Sequence, residues 1–128
     1  MVAFLSQEWL DRQRELTAGL PERPGASARV QVVVAGGPDG EVAYLQVFHD
    51  GRLVECSLTR DDGADVTLNQ THADAVAIAT GELDPSAAFM QGRVKVVGSM
   101  GSLMAVLPVL QSHEYATAMA DLAAETEL

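Results

Sequence analysis

Cysteine is nearly absent from this chain: a single residue, Cys56, among 128 excludes an internal disulfide framework and gives no sign of an oxidising compartment. Basic residues are scarce too, with 8 Lys and Arg against 18 acids and a net charge of −10. That balance repels a phosphate backbone, and Arg12, Arg14, Arg23, Arg29, Arg52, Arg60, Arg93 and Lys95 are scattered, so neither nucleic acid nor an anionic membrane surface is an expected partner. No apolar run approaches the ~20 residues of a membrane span, so stable membrane insertion is not expected. The opening Met-Val-Ala-Phe-Leu-Ser-Gln-Glu lacks the basic region of a signal peptide, and the closing Glu-Thr-Glu-Leu matches neither a peroxisomal nor a reticular address. A cytoplasmic protein is the expectation. Histidine is limited to His49, His72 and His113, far apart and ordinary in setting, and the Asp61, Asp62 and Asp65 turn lacks calcium-loop spacing. No metal or cofactor is expected.

What remains is apolar: 48 % of the residues, in a length that favours one domain over residues 1–128 with one core. Ser6 fits an N-cap, followed by Trp9, Leu10, Gln13, Leu16 and Leu20 at helical spacing, with Gly19 as a left-handed stop. Val30 to Ala35 is a β-branched strand, and Gly-Gly-Pro-Asp-Gly turns it into Glu41 to His49. Asp50-Gly51 suits a tight hairpin in which both turn residues need positive φ, which makes Arg52 to Thr59 the return strand. Asp65 to Gln70 reads as a fourth strand with Val66 and Leu68 on one face.

Thr71 then opens a helix carrying Val76, Ile78 and Ala79 that stops at Gly81, and Asp84-Pro85 opens a short one closing on Gly92. Arg93 to Val97 alternates as a half-buried strand, with Val94 and Val96 turned inward. Met100, Leu103, Met104 and Leu107 repeat at helical spacing until Pro108 interrupts, and Ser112 caps a last helix with Tyr115, Met119 and Leu122 on one face. Grouped helices with a hairpin-rich sheet define an α+β fold.

The stretch Val97-Gly98-Ser99-Met100-Gly101 invites three chemistries. A serine elbow needs glycine where Val97 stands, plus a histidine and an orienting acid; His113 follows Ser99 with no acid between them. No glycine-rich phosphate pattern is present. Ser99 is therefore read as a helix N-cap, with Gly98 and Gly101 turning the chain. Cys56, in a strand, is read as a small buried hydrophobe. Gln91, a lone amide beside Phe89 and Met90, is either a polar handle for a ligand or a local partner of the turn at Gly92. Apolar residues on both faces of the strand with Tyr44 and Phe48 (Val42 on their side; Ala43, Leu45 and Val47 on the other) leave room for an internal cavity.

Asp65 to Leu110 resembles the sterol carrier protein type 2 domain family. The carrier is "ATGELDPSAAFMQGRVKVVGSMG": a Gly-x-Leu-x-Pro turn, then Ala-Phe-Met-Gln-Gly, a strand alternating with basic residues, and Gly followed by Met-Gly. Over the N-terminal part only the order of elements agrees. The resemblance implies a five-stranded, mainly antiparallel sheet packed with about five helices around an apolar tunnel. It implies binding, without covalent chemistry, of a lipid-like molecule (a fatty acid, acyl-CoA ester, sterol or similar), and leaves open whether that molecule is also transferred.

Carried over, Phe89, Met90 and Gln91 match the residues beside the family's cavity, and Met100, Leu103 and Met104 its C-terminal wall. Phe48, Leu68, Val76, Leu107 and Leu110 complete the expected ligand-binding set, with no catalytic residue. Ser99 stands where Asn or Asp is more usual, and Ser102 where a basic or bulkier residue is frequent. A stand-alone, bacterial-type, non-enzymatic member is implied, with homodimer formation left open. Two rivals are an accessory module with a collapsed cavity and, ranked last, an enzyme on a small apolar substrate, which needs Gln91, Ser99 and Tyr44 to converge.

Overall fold

The computed structural model describes residues 2–38 and 40–127. Asp39 of the expected Gly-Gly-Pro-Asp-Gly turn lies outside the described residues, as do the terminal Met1 and Leu128. The order is β1 (Val2–Ala3), α1 (Gln7–Leu16), β2 (Ala28–Gly37), β3 (Gly40–His49), β4 (Arg52–Ser57), β5 (Val66–Thr71), α2 (His72–Ala79), α3 (Pro85–Met90), β6 (Lys95–Gly98), α4 (Met100–Leu110), α5 (His113–Ala124) and β7 (Thr126–Glu127). The five-stranded sheet runs β4-β3-β2-β5-β6, and β1 and β7 form a two-stranded parallel sheet. This is the expected α+β fold.

Its pairings are antiparallel except β2 with β5, where Val30 lies opposite Val66 and Ala35 opposite Thr71. Asp50 (φ 47) and Gly51 (φ 89) make the expected hairpin turn. Each helix begins on a side-chain oxygen that accepts a backbone N–H three residues on: Ser6, Thr71, Asp84, Ser99 and Ser112.

Alternation gives the sheet two unlike faces. Val30, Val32, Val34, Tyr44, Phe48 and Val66 meet Trp9 and Leu10 of α1 and Leu103, Val106 and Val109 of α4 in one buried cluster. On the opposite face, Gln31, Val33 and Leu45 are buried without belonging to that cluster. The connection from β4 to β5 crosses there. Gln31 anchors it, its Nε2 donating to the carbonyls of Tyr44 (2.7 Å) and Thr59 (2.9 Å) and its Oε1 accepting from Asp61 N–H (2.7 Å).

Four expectations are corrected. Gly19 does not stop α1: Thr17 caps it, its buried hydroxyl donating to the Gln13 carbonyl. Pro108 does not end α4, because Val106 and Val109 are buried on either side of it and only one ladder bond is lost. Gly101 turns nothing, being the second residue of α4. Asp61 and Asp65 do more than solvate a turn. Asp65 accepts from Arg29 N–H at 2.8 Å, and the Arg29 guanidinium, with Gly63 N–H, holds the Asp61 carboxyl below its ordinary pKa. His72 is half-buried, edge-on to Phe4 at 5.8 Å. Among the described residues no helix is long and apolar enough to cross a membrane.

Candidate functional site

The candidate region is built by a sequence of reversals between residues 84 and 111. Asp84 accepts from Ala87 N–H at 3.1 Å to start α3, and Gly92 (φ 75) lets the chain turn after it. The carbonyl of fully buried Ala88 then accepts from Arg93 N–H at 2.9 Å, which aims the chain into β6. The Arg93 and Val94 N–H groups both point to that carbonyl and are spent on the turn, so β6 starts at Lys95 rather than Arg93. Val96 sits opposite Leu68 on the core face, half-buried as expected, while Val97 faces the other way, opposite Thr67. Gly98 ends the strand, and Ser99 N–H donates to the Asp65 carbonyl (2.8 Å) while its hydroxyl accepts from Ser102 N–H (3.1 Å). Ser99 is thus the N-cap of α4, as the sequence indicates. Gln111 Nε2 donates to Ser86 Oγ at 2.9 Å, joining the end of α4 to the first turn of α3.

Phe48 and Leu103 are buried in the core cluster, and Leu68, Leu107 and Leu110 are half-buried against it. Val76 is half-buried on α2. The rest of the expected set faces outward: Phe89 is 40 % exposed, Met90 84 %, Met100 46 % and Met104 58 %. Gln91 is exposed as the C-cap of α3, and its side-chain amide makes no hydrogen bond among the described residues. One helix therefore carries both halves of the set, with Leu103 turned inward and Met100 and Met104 outward. α4 contains no charged residue on any side.

Sequence reasoning passed over a polar cluster inside the core. Gln13 Nε2 donates to Tyr115 Oη at 3.2 Å, and the Cys56 thiol donates to Gln13 Oε1 at 3.5 Å. Burial pushes the Cys56 thiol up to about 12 and Tyr115 up to about 12, so neither ionises at neutral pH. The signal for this cluster was Gln13 itself, a polar residue on the apolar stripe of α1. Nucleophilic chemistry has no support here. Nor do Gln91, Ser99 and Tyr44 converge: none hydrogen-bonds another among the described residues, and Tyr44 is buried edge-on to Trp9. Two surface depressions, of about 280 Å³ (around Gln31, Arg60 and Thr67) and about 390 Å³ (between α1 and α5), are lined by none of the expected ligand residues.

The site region is thus a mixed sheet with helices packed on one face, one of them, α4, uncharged and lying half in the core and half in solvent. The chain belongs to the SCP-2 sterol transfer family, whose profile matches residues 9–111. It is similar to the human protein Sterol carrier protein 2, with 41 % identity over 71 residues that cover 56 % of this chain but only 13 % of that protein. Among solved structures, a crystal structure of sterol carrier protein 2 superposes with TM-score 0.70 at 16 % identity, covering 97 % of this chain and 99 % of that one. Palmitated SCP2L2 from Aedes aegypti gives TM-score 0.65 at 17 % identity, covering 84 % of this chain and 95 % of that one. These likenesses extend the fold over the N-terminal part, where the sequence offered only element order.

Proposed function

We propose that this chain is a non-enzymatic, cytoplasmic lipid carrier that holds an elongated apolar ligand, such as an acyl chain, in a tunnel between the α3–α4 layer and the sheet. The observation that carries the reading is α4: family membership supplies the lipid class, and this helix is uncharged on every side without being buried on every side. Leu103 and Leu107 would line the inner wall with Phe48 and Leu68, while Met100, Met104, Phe89 and Met90 adapt to ligand shape through flexible, polarisable side chains. Gln91 would orient a carbonyl or hydroxyl, since its amide both donates and accepts.

The energetics are adequate. An acyl chain burying about 14 methylenes gains roughly 11 kcal/mol at ~0.8 kcal/mol each. Subtracting an association cost of about 4 kcal/mol leaves about 7 kcal/mol, an affinity on the order of 10 µM. The test is native mass spectrometry of the purified protein, which should show one co-purified or added fatty acid per chain; a bare chain under both conditions contradicts the proposal. The collapsed-cavity alternative draws on the two surface depressions, neither of which involves the expected ligand residues.

A further inference from the structure

The two edges of the five-stranded sheet are unlike. α1 lies along β4, and Gln7 seals part of that edge, its Nε2 donating to the Cys56 carbonyl at 3.2 Å and its Oε1 accepting from Leu58 N–H at 3.1 Å. β6, at the other edge, has no such cover: among the described residues β5 is the only element packed closely along it. In an antiparallel ladder, alternate residues bond to the neighbouring strand. Ser99 N–H reaches the Asp65 carbonyl, so the backbone groups of Val97 and Lys95 face β5, and those of Val96 and Gly98 turn outward. Val97 itself is 63 % exposed, on the sheet face away from the core cluster. Unpaired edge groups beside an exposed valine form a template for another strand.

We propose that β6 pairs antiparallel with β6 of a second copy of this chain, joining two five-stranded sheets into one. The outward groups set the register: Val96 exchanges hydrogen bonds with the partner's Gly98, and Val97 stands directly opposite the partner's Val97. That register is self-complementary. The two valines form a non-hydrogen-bonded pair, where side chains stand closest. Val96 comes beside the partner's Gly98, which has no side chain to obstruct it. Lys95 lies opposite the partner's Ser99, so the two lysines are four residues apart along the joint, about 13 Å and beyond the ~8 Å screening length at physiological salt. A foreign strand could meet the same N–H and C=O groups, but a second copy necessarily brings valine to Val97 and glycine to Val96. Charge agrees: no acid falls between Asp84 and Glu114, so this segment carries +2, from Arg93 and Lys95, and the rest of the chain carries −12. The remote acids of the two copies still repel, so association strengthens as salt rises. With β4 covered, pairing closes at two chains. Four residues a side make a small joint, and interfaces below about 1,200 Å² belong to transient complexes. The pairing is independent of the lipid-carrier reading.

Sedimentation velocity of the full chain at concentrations up to about 1 mM, which reaches weak complexes, should show a monomer–dimer equilibrium that shifts toward dimer as salt rises. Val97→Lys sets like charges opposite each other and should weaken the dimer roughly tenfold, while the β-branched Val97→Thr keeps it. Cysteine trapping tests the register without relying on either variant. A non-hydrogen-bonded pair holds its Cα atoms about 4.5 Å apart, within disulfide reach, so Val97→Cys should cross-link two chains on mild oxidation and Lys95→Cys should not. The native Cys56 is buried and gives no background. A chain that stays monomeric at every concentration would overturn the proposal, as would a dimer that Val97→Lys leaves unchanged. Lys95→Cys cross-linking as readily as Val97→Cys would overturn the proposed joint.

Discussion

Gly98 presses against the Asp65 carbonyl oxygen so closely that a β-carbon on Gly98 would come within 2.7 Å of it. The same oxygen accepts the Ser99 N–H at 2.8 Å, which fixes where α4 begins relative to β5. Gly98 also has φ +111, a conformation that side-chain-bearing residues rarely adopt. Gly98→Ala should therefore destabilise the fold by about 1–3 kcal/mol. Urea unfolding followed by circular dichroism reads this directly, and an unchanged midpoint would contradict it.

Gln31 ties the β4–β5 crossover to the buried side of the sheet through its three hydrogen bonds. Gln31→Leu keeps the volume but leaves two carbonyls and one N–H without those partners. A loss of about 2–4 kcal/mol is expected, read as a lower urea midpoint. A change below a few tenths of a kcal/mol would mean that water replaces the amide.

Pro108 withholds the N–H that would continue the α4 ladder, yet the helix runs on to Leu110. Pro108→Ala restores that donor at an exposed position and should raise stability by about 1–2 kcal/mol after allowing for the looser unfolded chain. A lower midpoint would show that the helix is shaped around the proline.

Alkaline pH should unfold the protein early. Burial raises the Cys56 thiol from its ordinary range to about 12, and raises Tyr44 and Tyr115 as well. Each of these groups is favoured neutral in the folded state, so its contribution is complete below the unfolded pKa and is lost as pH climbs toward the folded one. Stability should fall from about pH 9 upward, with Cys56 the first group to contribute. Cys56→Ala should flatten the fall between pH 9 and 10; an unchanged slope would contradict the assignment.

Gln91→Ala should leave stability nearly unchanged, since the side chain is exposed and makes no hydrogen bond among the described residues. It should weaken binding of fatty acids with a polar head by about 3–10-fold, and of plain alkyl chains less. Equal losses on both ligands would leave Gln91 no role as a polar handle.

Local chemistry made much of this fold legible. The five N-caps and the Asp50-Gly51 hairpin depend on residues within a few positions of one another, so their signals are complete in the sequence. Inward Val96 and outward Lys95 follow from strand alternation alone. What stayed hidden depends on distant partners. Nothing near Val66 announces that β5 lies parallel to β2, and nothing near Thr126 announces the pairing of β7 with β1. Pro108 reads locally as a helix end; buried Val106 and Val109, held by the rest of the core, override it. The expected ligand set divides for the same reason. A methionine at helical spacing is equally good core or surface, and only the packing of α4 decides that Leu103 is inside and Met104 outside.

Titration of the purified, delipidated protein with a fluorescent fatty acid, followed by displacement with its unlabelled counterpart, tests the carrier reading most directly. One saturable site per chain with an affinity on the order of 10 µM is the predicted result. A signal that neither saturates nor is displaced by the unlabelled fatty acid would contradict it.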